Sequence, residues 1–208
     1  MKKAILLLFI LFSNLVFCQN LPKLQLRDAV IEDTLVNEKI DKDEICVIIK
    51  STGGSFAHDT YFYFFFKSEK KINAYIVSTP KSYLKKNKKL ITTIDKTELS
   101  LENEKLLFLA LNSNQTAEFL NFTQSDFKNI TNEKERPCLI NDASGCSMTF
   151  IQNGKQNTYY YHAPKYMLEK CNNKSINKVT LEKYIQLLDL WQVNNLFKDY
   201  FFKKYIQK

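Results

Sequence analysis

An Asn-Gly pair at residues 153 and 154 separates two runs rich in β-branched and aromatic residues, and it constrains the fold more than any other feature. A two-residue type I′ turn requires positive φ at both central residues, which Asn and Gly tolerate best, so the flanking strands fold back on each other. Cys138, Cys146 and Cys171 lie in or beside this segment. The sequence therefore predicts an antiparallel β-hairpin that is braced by disulfide bonds.

The first eighteen residues have the layout of a secretory signal peptide. Lys2 and Lys3 precede an apolar stretch that is too short to span a membrane, and a polar boundary follows at Gln19 and Asn20. This leader resembles the signal peptides, common in the Bacteroidota, that end just before a glutamine. We therefore expect cleavage after residue 18 and a secreted or periplasmic protein with a single globular domain over residues 19–208.

A lipid anchor on Cys18 is the alternative to simple cleavage, because residues 15–18, Leu-Val-Phe-Cys, partly resemble a bacterial lipobox. Phe17 weighs against the anchor, since the position before a lipidated cysteine usually holds Gly, Ala or Ser. After signal cleavage, the sequence contains no further apolar run long enough to form a transmembrane segment.

The four cysteines beyond the leader are expected to form disulfides, because an oxidising compartment favours pairing of an even set. They are Cys46, Cys138, Cys146 and Cys171. Three connectivities are open. We prefer Cys146 with Cys171 and Cys46 with Cys138, because the return strand of the hairpin brings the chain back near Cys146 just before Cys171.

The spacing of apolar residues predicts an α+β fold. A helix is predicted over residues 21–41, followed by an antiparallel meander and then a fourth strand at residues 90–94. The three strands of the meander are placed at residues 45–50, 56–67 and 71–78. Residues 61–66, Tyr-Phe-Tyr-Phe-Phe-Phe, are apolar on both alternating faces, which is typical of a central strand covered on both sides.

Helices are predicted for much of the remaining chain. Ser100 is expected to cap a middle helix that the apolar run 106–111 buries on most sides, and residues 116–135 are expected to form short helical turns. Thr180 is expected to cap a C-terminal helix with an amphipathic stripe. The predicted architecture is an antiparallel sheet of about five strands, from the meander and the Asn-Gly hairpin, packed by N-terminal, middle and C-terminal helices.

The end of the chain carries an aromatic pattern. Phe197, Tyr200, Phe201 and Tyr205 fall on one side of the segment that follows Asn194 and Asn195. We expect this tail to pack against its own domain, and the alternative is that it docks on a partner.

The formal charge of +8 comes almost entirely from lysine, since Arg27 and Arg136 are the only arginines. Specific base recognition depends on arginine forks, so this composition argues against a nucleic-acid partner. Lysines cluster around Tyr83, and they form a candidate contact patch for an anionic envelope component or an acidic protein. The patch comprises Lys81, Lys85, Lys86, Lys88 and Lys89. The alternative is a solvated loop.

Catalytic and metal-binding motifs are weak. His58 and His162 are the only histidines, and no ligand spacing around them indicates a metal site. The sharpest catalytic hypothesis combines Cys146 as nucleophile, His162 as base and Asp142 as orienting carboxylate, because the two ends of a hairpin meet. A disulfide at Cys146 would prevent this chemistry. A version with Ser144 lacks the Gly-x-Ser-x-Gly elbow, so we expect no catalytic residue, metal or cofactor.

These observations favour a non-enzymatic protein. The expected function is a secreted or periplasmic binding module, acting as an inhibitor, an immunity factor or an envelope accessory. The first alternative is an envelope hydrolase whose site assembles from scattered carboxylates. The second alternative is a small-molecule or lipid carrier, which would need a large apolar cavity inside the sheet.

Overall fold

A computed structural model describes residues 21–53, 58–81, 90–131, 138–140, 143–192 and 195. It contains one antiparallel sheet with the strand order β1-β7-β6-β2-β3-β4-β5. The strands are β1 (Arg27–Asp28), β2 (Ile45–Gly53), β3 (His58–Phe66), β4 (Ile72–Pro80), β5 (Thr93–Thr97), β6 (Ser144–Gln152) and β7 (Lys155–His162). The helices are α1 (Thr34–Lys39), α2 (Leu101–Leu111), α3 (Asn114–Phe119), α4 (Pro164–Glu169) and α5 (Lys178–Leu190), with a 3-10 helix at Gln124–Phe127. The α+β class is confirmed, and the sheet has seven strands rather than about five.

The predicted meander is present as β2, β3 and β4. Each strand pairs antiparallel with the next, from Ile45 opposite Phe66 to His58 opposite Pro80. The fourth strand lies at Thr93–Thr97 rather than at residues 90–94, because its register is fixed by pairing with β4.

The Asn-Gly hairpin is confirmed. Asn153 has φ of 52° and Gly154 has φ of 73°, so both central residues of the turn adopt the left-handed backbone conformation that the sequence pattern predicts. β6 then pairs with β2 from Gln152 opposite Ile45 to Ser144 opposite Gly53. This pairing joins the hairpin to the meander along the whole length of β2.

The helix predicted over residues 21–41 is wrong, because only Thr34–Lys39 is helical. The first part of this segment instead runs along the edge of β7. The backbone N–H of Leu24 donates to Gln152 Oε1 at 2.8 Å, and that of Arg27 donates to Asn157 Oδ1 at 3.2 Å. These side chains satisfy backbone donors that a helix would have satisfied internally.

The sheet is covered on both faces, as the aromatic run predicts. One face packs on α2, α3 and α5 to form the main core, and the other carries a smaller α1 cluster. The main core takes Phe62, Phe64 and Phe66 from β3, with Tyr159, Tyr184 and Trp191 among its largest side chains. The α1 cluster takes Tyr63 and Phe65 from β3 and joins them to Cys46, Leu35 and Val36.

The helix predictions are partly right. Ser100 caps α2 by accepting from the backbone N–H of Asn103 at 3.2 Å. Asn177, not Thr180, caps α5, because its side-chain oxygen accepts from the backbone N–H of Thr180 at 3.2 Å and the Thr180 side chain is buried. The predicted stripe on α5 is buried, and no helix in the described part of the chain is long and apolar enough to cross a membrane.

The expected burial of α2 on most sides is wrong. Its inner face carries Leu107, Ala110 and Leu111, which are all buried in the main core. On the outer side, the exposed fractions of Leu101 and Leu109 are 67% and 68%. Only one face of this helix meets the sheet, so a second apolar face is left toward solvent.

Candidate functional site

The disulfide joins Cys138 to Cys171, with the two Cα atoms 5.8 Å apart. Both preferred pairings are therefore wrong, and Cys46 and Cys146 carry free thiols. The disulfide ties the segment before β6 to the segment after α4, so the hairpin lies inside a covalently closed loop.

Strand register explains why Cys46 does not pair with Cys138. Cys146 lies opposite Ser51, and Cys46 lies five residues further along β2, a distance of about 17 Å at strand spacing. Cys138 precedes the Cys146 end of β6, whereas a disulfide requires Cα atoms within about 7 Å. Cys46 is also fully buried on the face covered by α1.

Cys146 faces the main core, where its thiol is a poor nucleophile. Its sulfur lies 3.9 Å from the carbonyl oxygen of Ser147, and the Tyr184 hydroxyl donates to the Cys146 carbonyl at 2.9 Å. Burial raises the pKa of the Cys146 thiol to about 12. The thiol therefore stays protonated at neutral pH, whereas a catalytic cysteine needs the thiolate.

The proposed Cys146 and His162 pair does not form. Cys146 pairs with Tyr161, while His162 pairs with Gly145, so the two side chains point to opposite faces of the sheet. Asp142, the third member of this hypothesis, lies outside the described residues. Ser144 is exposed at the beginning of β6. The hairpin brings the two ends together, but its pleat separates the side chains that the chemistry would need.

The other predicted site residues do not converge. His58 is at the first position of β3, opposite Pro80, while His162 ends β7, and β6 and β2 lie between these two strands. Within the described ranges, no group of three His, Cys, Asp or Glu side chains is arranged to hold a metal ion. Lys81 follows β4 directly. The rest of the lysine patch, Lys85, Lys86, Lys88 and Lys89, lies outside the described residues, so the patch stays a prediction.

The most buried ion pair among the described residues has a structural role. Lys67 Nζ lies 2.5 Å from Glu44 Oε2 and also donates to the carbonyl oxygen of Lys39 at 2.9 Å. Burial alone would lower the pKa of Lys67, but the hydrogen bond and charge of Glu44, aided by Asp41, raise it above its usual value. The charged lysine thus fastens the end of α1 to the end of β3.

An apolar groove lies on the outer side of α2. It has a volume of about 530 Å³, and its apolar walls are Leu21 and Pro22 on one side and Leu101, Phe108 and Leu109 of α2 on the other. Phe108 packs edge-to-face on Phe66 with ring centroids 5.2 Å apart. The floor of the groove is therefore anchored to the main core.

Charged and polar groups surround this apolar surface. Lys70, Glu104, Lys105 and Asn112 also line the groove. Glu104 and Lys105 are adjacent on α2, so the groove presents both signs of charge close to the apolar walls. This arrangement can hold an apolar side chain and hydrogen-bond the polar groups beside it.

Sequence analysis missed the groove, although the pattern contains a signal for it. Leu101, Lys105, Phe108, Leu109 and Asn112 recur at the spacing of one helix face. That face differs from the one with Leu107, Ala110 and Leu111. The apolar run 106–111 hid the distinction, because a continuous run suggests burial on every side.

A second, smaller pocket surrounds Cys146. Its volume is about 270 Å³, and its lining includes Ser51, Ser144 and Tyr166 together with Lys165 and Asp189. The last two form an ion pair at 3.3 Å. The Cys146 thiol in this pocket is protonated at neutral pH, and the pocket is about half the volume of the α2 groove, so we place the candidate functional site at the α2 groove. Comparison with protein-family models and with curated protein sequences finds no match for this chain.

Proposed function

We propose that this protein is a secreted or periplasmic, non-catalytic binding module whose α2 groove receives an apolar segment of a partner protein. The exposure of Leu101 and Leu109 on the groove wall is the observation that carries the proposal. Large apolar side chains that cluster in an exposed groove mark interaction sites more often than scattered ones do. An inhibitor, an immunity factor and an envelope accessory all act through such a contact.

The disulfide supports the secreted or periplasmic location that we propose. Structural disulfides persist in oxidising environments and are rare in the cytosol, so the Cys138–Cys171 bond fits a chain exported by its leader. The predicted leader and this bond are independent features of the chain, and both point to the cell envelope or the medium.

A protein segment fits the groove better than a hydrolase substrate. The groove is open along α2, with apolar walls and charged side chains of both signs, which suits an amphipathic helix with apolar anchors and polar flanks. A small apolar molecule is the second candidate, because the volume lies within the range of about 300–1,000 Å³ for ligand sites. The interior between sheet and helices is filled by Trp191, Tyr184 and the phenylalanines, so a carrier would have to use this outer groove.

Site-specific photocrosslinking in the producing cells tests the proposal. A benzophenone amino acid at Leu109 should give a discrete protein adduct that mass spectrometry identifies, because this side chain lines the groove. The matched control is Val179, which is 66% exposed on α5 but lies outside the groove. Adducts from position 179 equal to those from position 109, or none from position 109, would contradict the proposal.

The groove wall should also determine affinity. Leu109→Asp should weaken binding of the identified partner about tenfold or more while changing the free energy of unfolding by less than about 0.5 kcal/mol. Val179→Asp is the control and should change neither. If native mass spectrometry instead shows a bound small molecule that Leu109→Asp removes, the second candidate replaces the first.

A further inference from the structure

The sheet face that carries the α1 cluster has a second half with a different composition. Along β2, Cys46 and Ile48 belong to the α1 cluster, whereas Lys50 and Thr52, which follow on the same side of the pleat, are half-buried. The strand register places Ser147 of β6 beside Lys50. Polar side chains thus replace apolar ones over this half of the face.

An aromatic ring lies flat on this polar half. Tyr160 of β7 is opposite Ser147, and a Cβ added to Gly145 would come within 2.5 Å of Tyr160 Oη, 2.6 Å of a Tyr160 ring carbon and 2.9 Å of Thr52 Oγ1. The ring therefore lies over Gly145 and reaches across β6 toward β2. Gly145 is buried beneath it, while Tyr160 is 42% exposed. The glycine makes room for a tyrosine ring that presents one side to solvent.

The backbone of Tyr160 is held in place by Gln124. The backbone N–H of Tyr160 donates to Gln124 Oε1, and Gln124 Nε2 donates to the Tyr160 carbonyl, both at 2.8 Å. The side-chain amide takes the role of a neighbouring strand here, because β1 pairs with only the first two residues of β7. A ring that is fixed before binding loses little conformational freedom when a ligand covers it.

A charged pair lies one strand away from the ring. Lys50 Nζ is 3.6 Å from Asp59 Oδ2, with side-chain exposures of 26% and 23%, and 4.6 Å from the centre of the Tyr61 ring. Thr52 is two residues from Lys50 on the same strand face, about 7 Å away at strand spacing. We call this shallow surface the tyrosine platform: Tyr160, Gly145, Thr52, Lys50 and Asp59. All five belong to the described part of the chain, whereas the aromatic tail after Asn195 lies outside it, so packing of that tail stays a prediction.

The tyrosine platform matches the chemistry of a sugar ring. A pyranose has C–H groups on its faces, which pack on an aromatic ring, and hydroxyl groups around its rim, which both donate and accept hydrogen bonds. On the platform, Lys50 donates, Asp59 accepts and Thr52 can do either. A purely apolar ligand would instead remove water from the ion pair without replacing its hydrogen bonds, which costs free energy.

We propose that the tyrosine platform binds an uncharged pyranose glycan chain of the cell envelope, with one sugar ring stacked on Tyr160 and its hydroxyls bonded to Lys50, Asp59 and Thr52. The charges of Lys50 and Asp59 oppose each other at short range, so an anionic glycan gains little there. The α2 groove is separate, because α2 packs on the other face of the sheet. Glycan binding would tether the protein while leaving the groove free.

Binding of the purified full-length protein to an array of immobilised oligosaccharides, built from uncharged and from anionic pyranoses, tests the proposal. We expect binding to uncharged members, and the strongest of these is then titrated in solution by calorimetry. Its dissociation constant should change less than about twofold between about 50 and 500 mM NaCl, because no net charge is neutralised. Binding to no uncharged member, or a loss of affinity of tenfold or more at about 500 mM NaCl, would overturn the proposal.

Two variants test the role of the ring. Tyr160→Ala should weaken glycan binding about tenfold or more, because the stacking surface is removed. Gly145→Ala keeps the other side chains of the platform but adds a Cβ where the tip of Tyr160 lies, so the ring must move and binding should weaken about fivefold. Gly145 does not have positive φ, so its backbone accepts alanine. Val179→Ala, at an exposed position on α5, is the control and should bind like the parent.

Tyr160→Phe separates the ring from its hydroxyl. It keeps the stacking surface, so its affinity should stay within about threefold of that of the parent. Circular dichroism and urea unfolding show whether each variant is folded. Full affinity in folded Gly145→Ala or Tyr160→Ala, or equal losses in Tyr160→Phe and Tyr160→Ala, would contradict stacking on Tyr160. The crosslink from position 109 is measured separately, so loss of glycan binding leaves the proposed α2 contact standing, and absence of a partner adduct leaves the glycan site standing.

Discussion

Cys146 illustrates how much a single side chain depends on the face of the strand that carries it. In sequence it is a cysteine near a histidine in a hairpin, which is a plausible nucleophile and base. In the fold, the pleat turns Cys146 toward Tyr161 and the main core, and it turns His162 toward the other face. Burial then keeps the thiol protonated. Cys146 therefore contributes to core packing, and its thiol ionises only at high pH.

The free energy of unfolding should decrease between about pH 9 and pH 12, partly because of Cys146. The unfolded thiol releases its proton near pH 8.5, whereas the folded thiol retains it up to about pH 12, so the unfolded state binds fewer protons in this window. Each such thiol contributes a slope of up to about 1.4 kcal/mol per pH unit. Urea unfolding at several pH values measures the slope.

Cys146→Ala should make this decrease shallower. It should not abolish it, because burial also raises the pKa of Cys46 and of Tyr63. An identical slope in the parent protein and the variant would show that Cys146 ionises as easily in the folded state as in the unfolded state.

At the scale of the element, the sequence predicted the turns and helix starts that neighbouring residues determine. It did not predict the conformation of segments whose hydrogen-bond partners are distant in the chain. Asn153 and Gly154 specify their turn, and Ser100 specifies the beginning of α2, because the decisive conformations and bonds lie within a few residues. The segment before α1 has helical spacing, but its backbone donors bond to Gln152 and Asn157 on a hairpin far along the chain.

The cysteine pairing was predicted wrongly, and the groove was not predicted, for a related reason. Pairing depends on which end of the sheet each cysteine reaches, and the exposed face of α2 depends on which face meets the sheet. Neither is determined by spacing alone. The anchors of the groove were present in the sequence, but nothing local distinguished Leu109, which is exposed, from Leu107, which is buried.

The disulfide should contribute about 3–4 kcal/mol to the free energy of unfolding, since it closes a loop with a sequence separation of 33 residues. Replacing both Cys138 and Cys171 with Ser should lower the stability of the whole domain by this amount, because the loop contains all of β6 and β7. Urea denaturation under non-reducing conditions measures the effect.

Reduction of the parent protein with a thiol reagent should give the same loss as the double variant. Cys146→Ala is the matched control, because it removes a thiol without opening the loop, and reduction should still destabilise it. A double variant as stable as the parent would mean that the bond does not constrain the unfolded chain.

At the scale of the whole molecule, two apolar clusters share one sheet. Alternate residues of β2 and β3 enter the main core and the α1 cluster, so Phe64 and Phe65 are neighbours in sequence and members of different clusters. The backbone of the two strands is common to both. Loss of packing on one face therefore removes the support that holds the side chains on the other face in register.

The two clusters should unfold as one cooperative unit. Val36→Ala, in the α1 cluster, should lower the free energy of unfolding by about 2 kcal/mol, because Val36 is fully buried. Trp191, the only tryptophan, lies in the main core. Its fluorescence should therefore report the same decrease in the free energy of unfolding as far-ultraviolet circular dichroism.

Val30→Ala is the matched control, because Val30 is 83% exposed and the same atoms are removed. It should change the free energy of unfolding by less than about 0.5 kcal/mol. A Trp191 transition that Val36→Ala leaves unchanged, while circular dichroism shows earlier loss of structure, would mean that the two clusters unfold independently.

The pairing of β2 with β6 has a consequence for folding kinetics. The meander and the hairpin each close through short connections, but β2 can pair with β6 only after the long intervening stretch of chain, which includes α2 and α3, has folded back. Until β6 arrives, β2 is an open edge with the sequence Ile-Cys-Val-Ile-Ile beside the aromatic strand β3. Such an edge is a template for pairing between chains. Changes that slow the docking of β6 should therefore lower the yield of folded protein through aggregation, even where the final stability is unchanged.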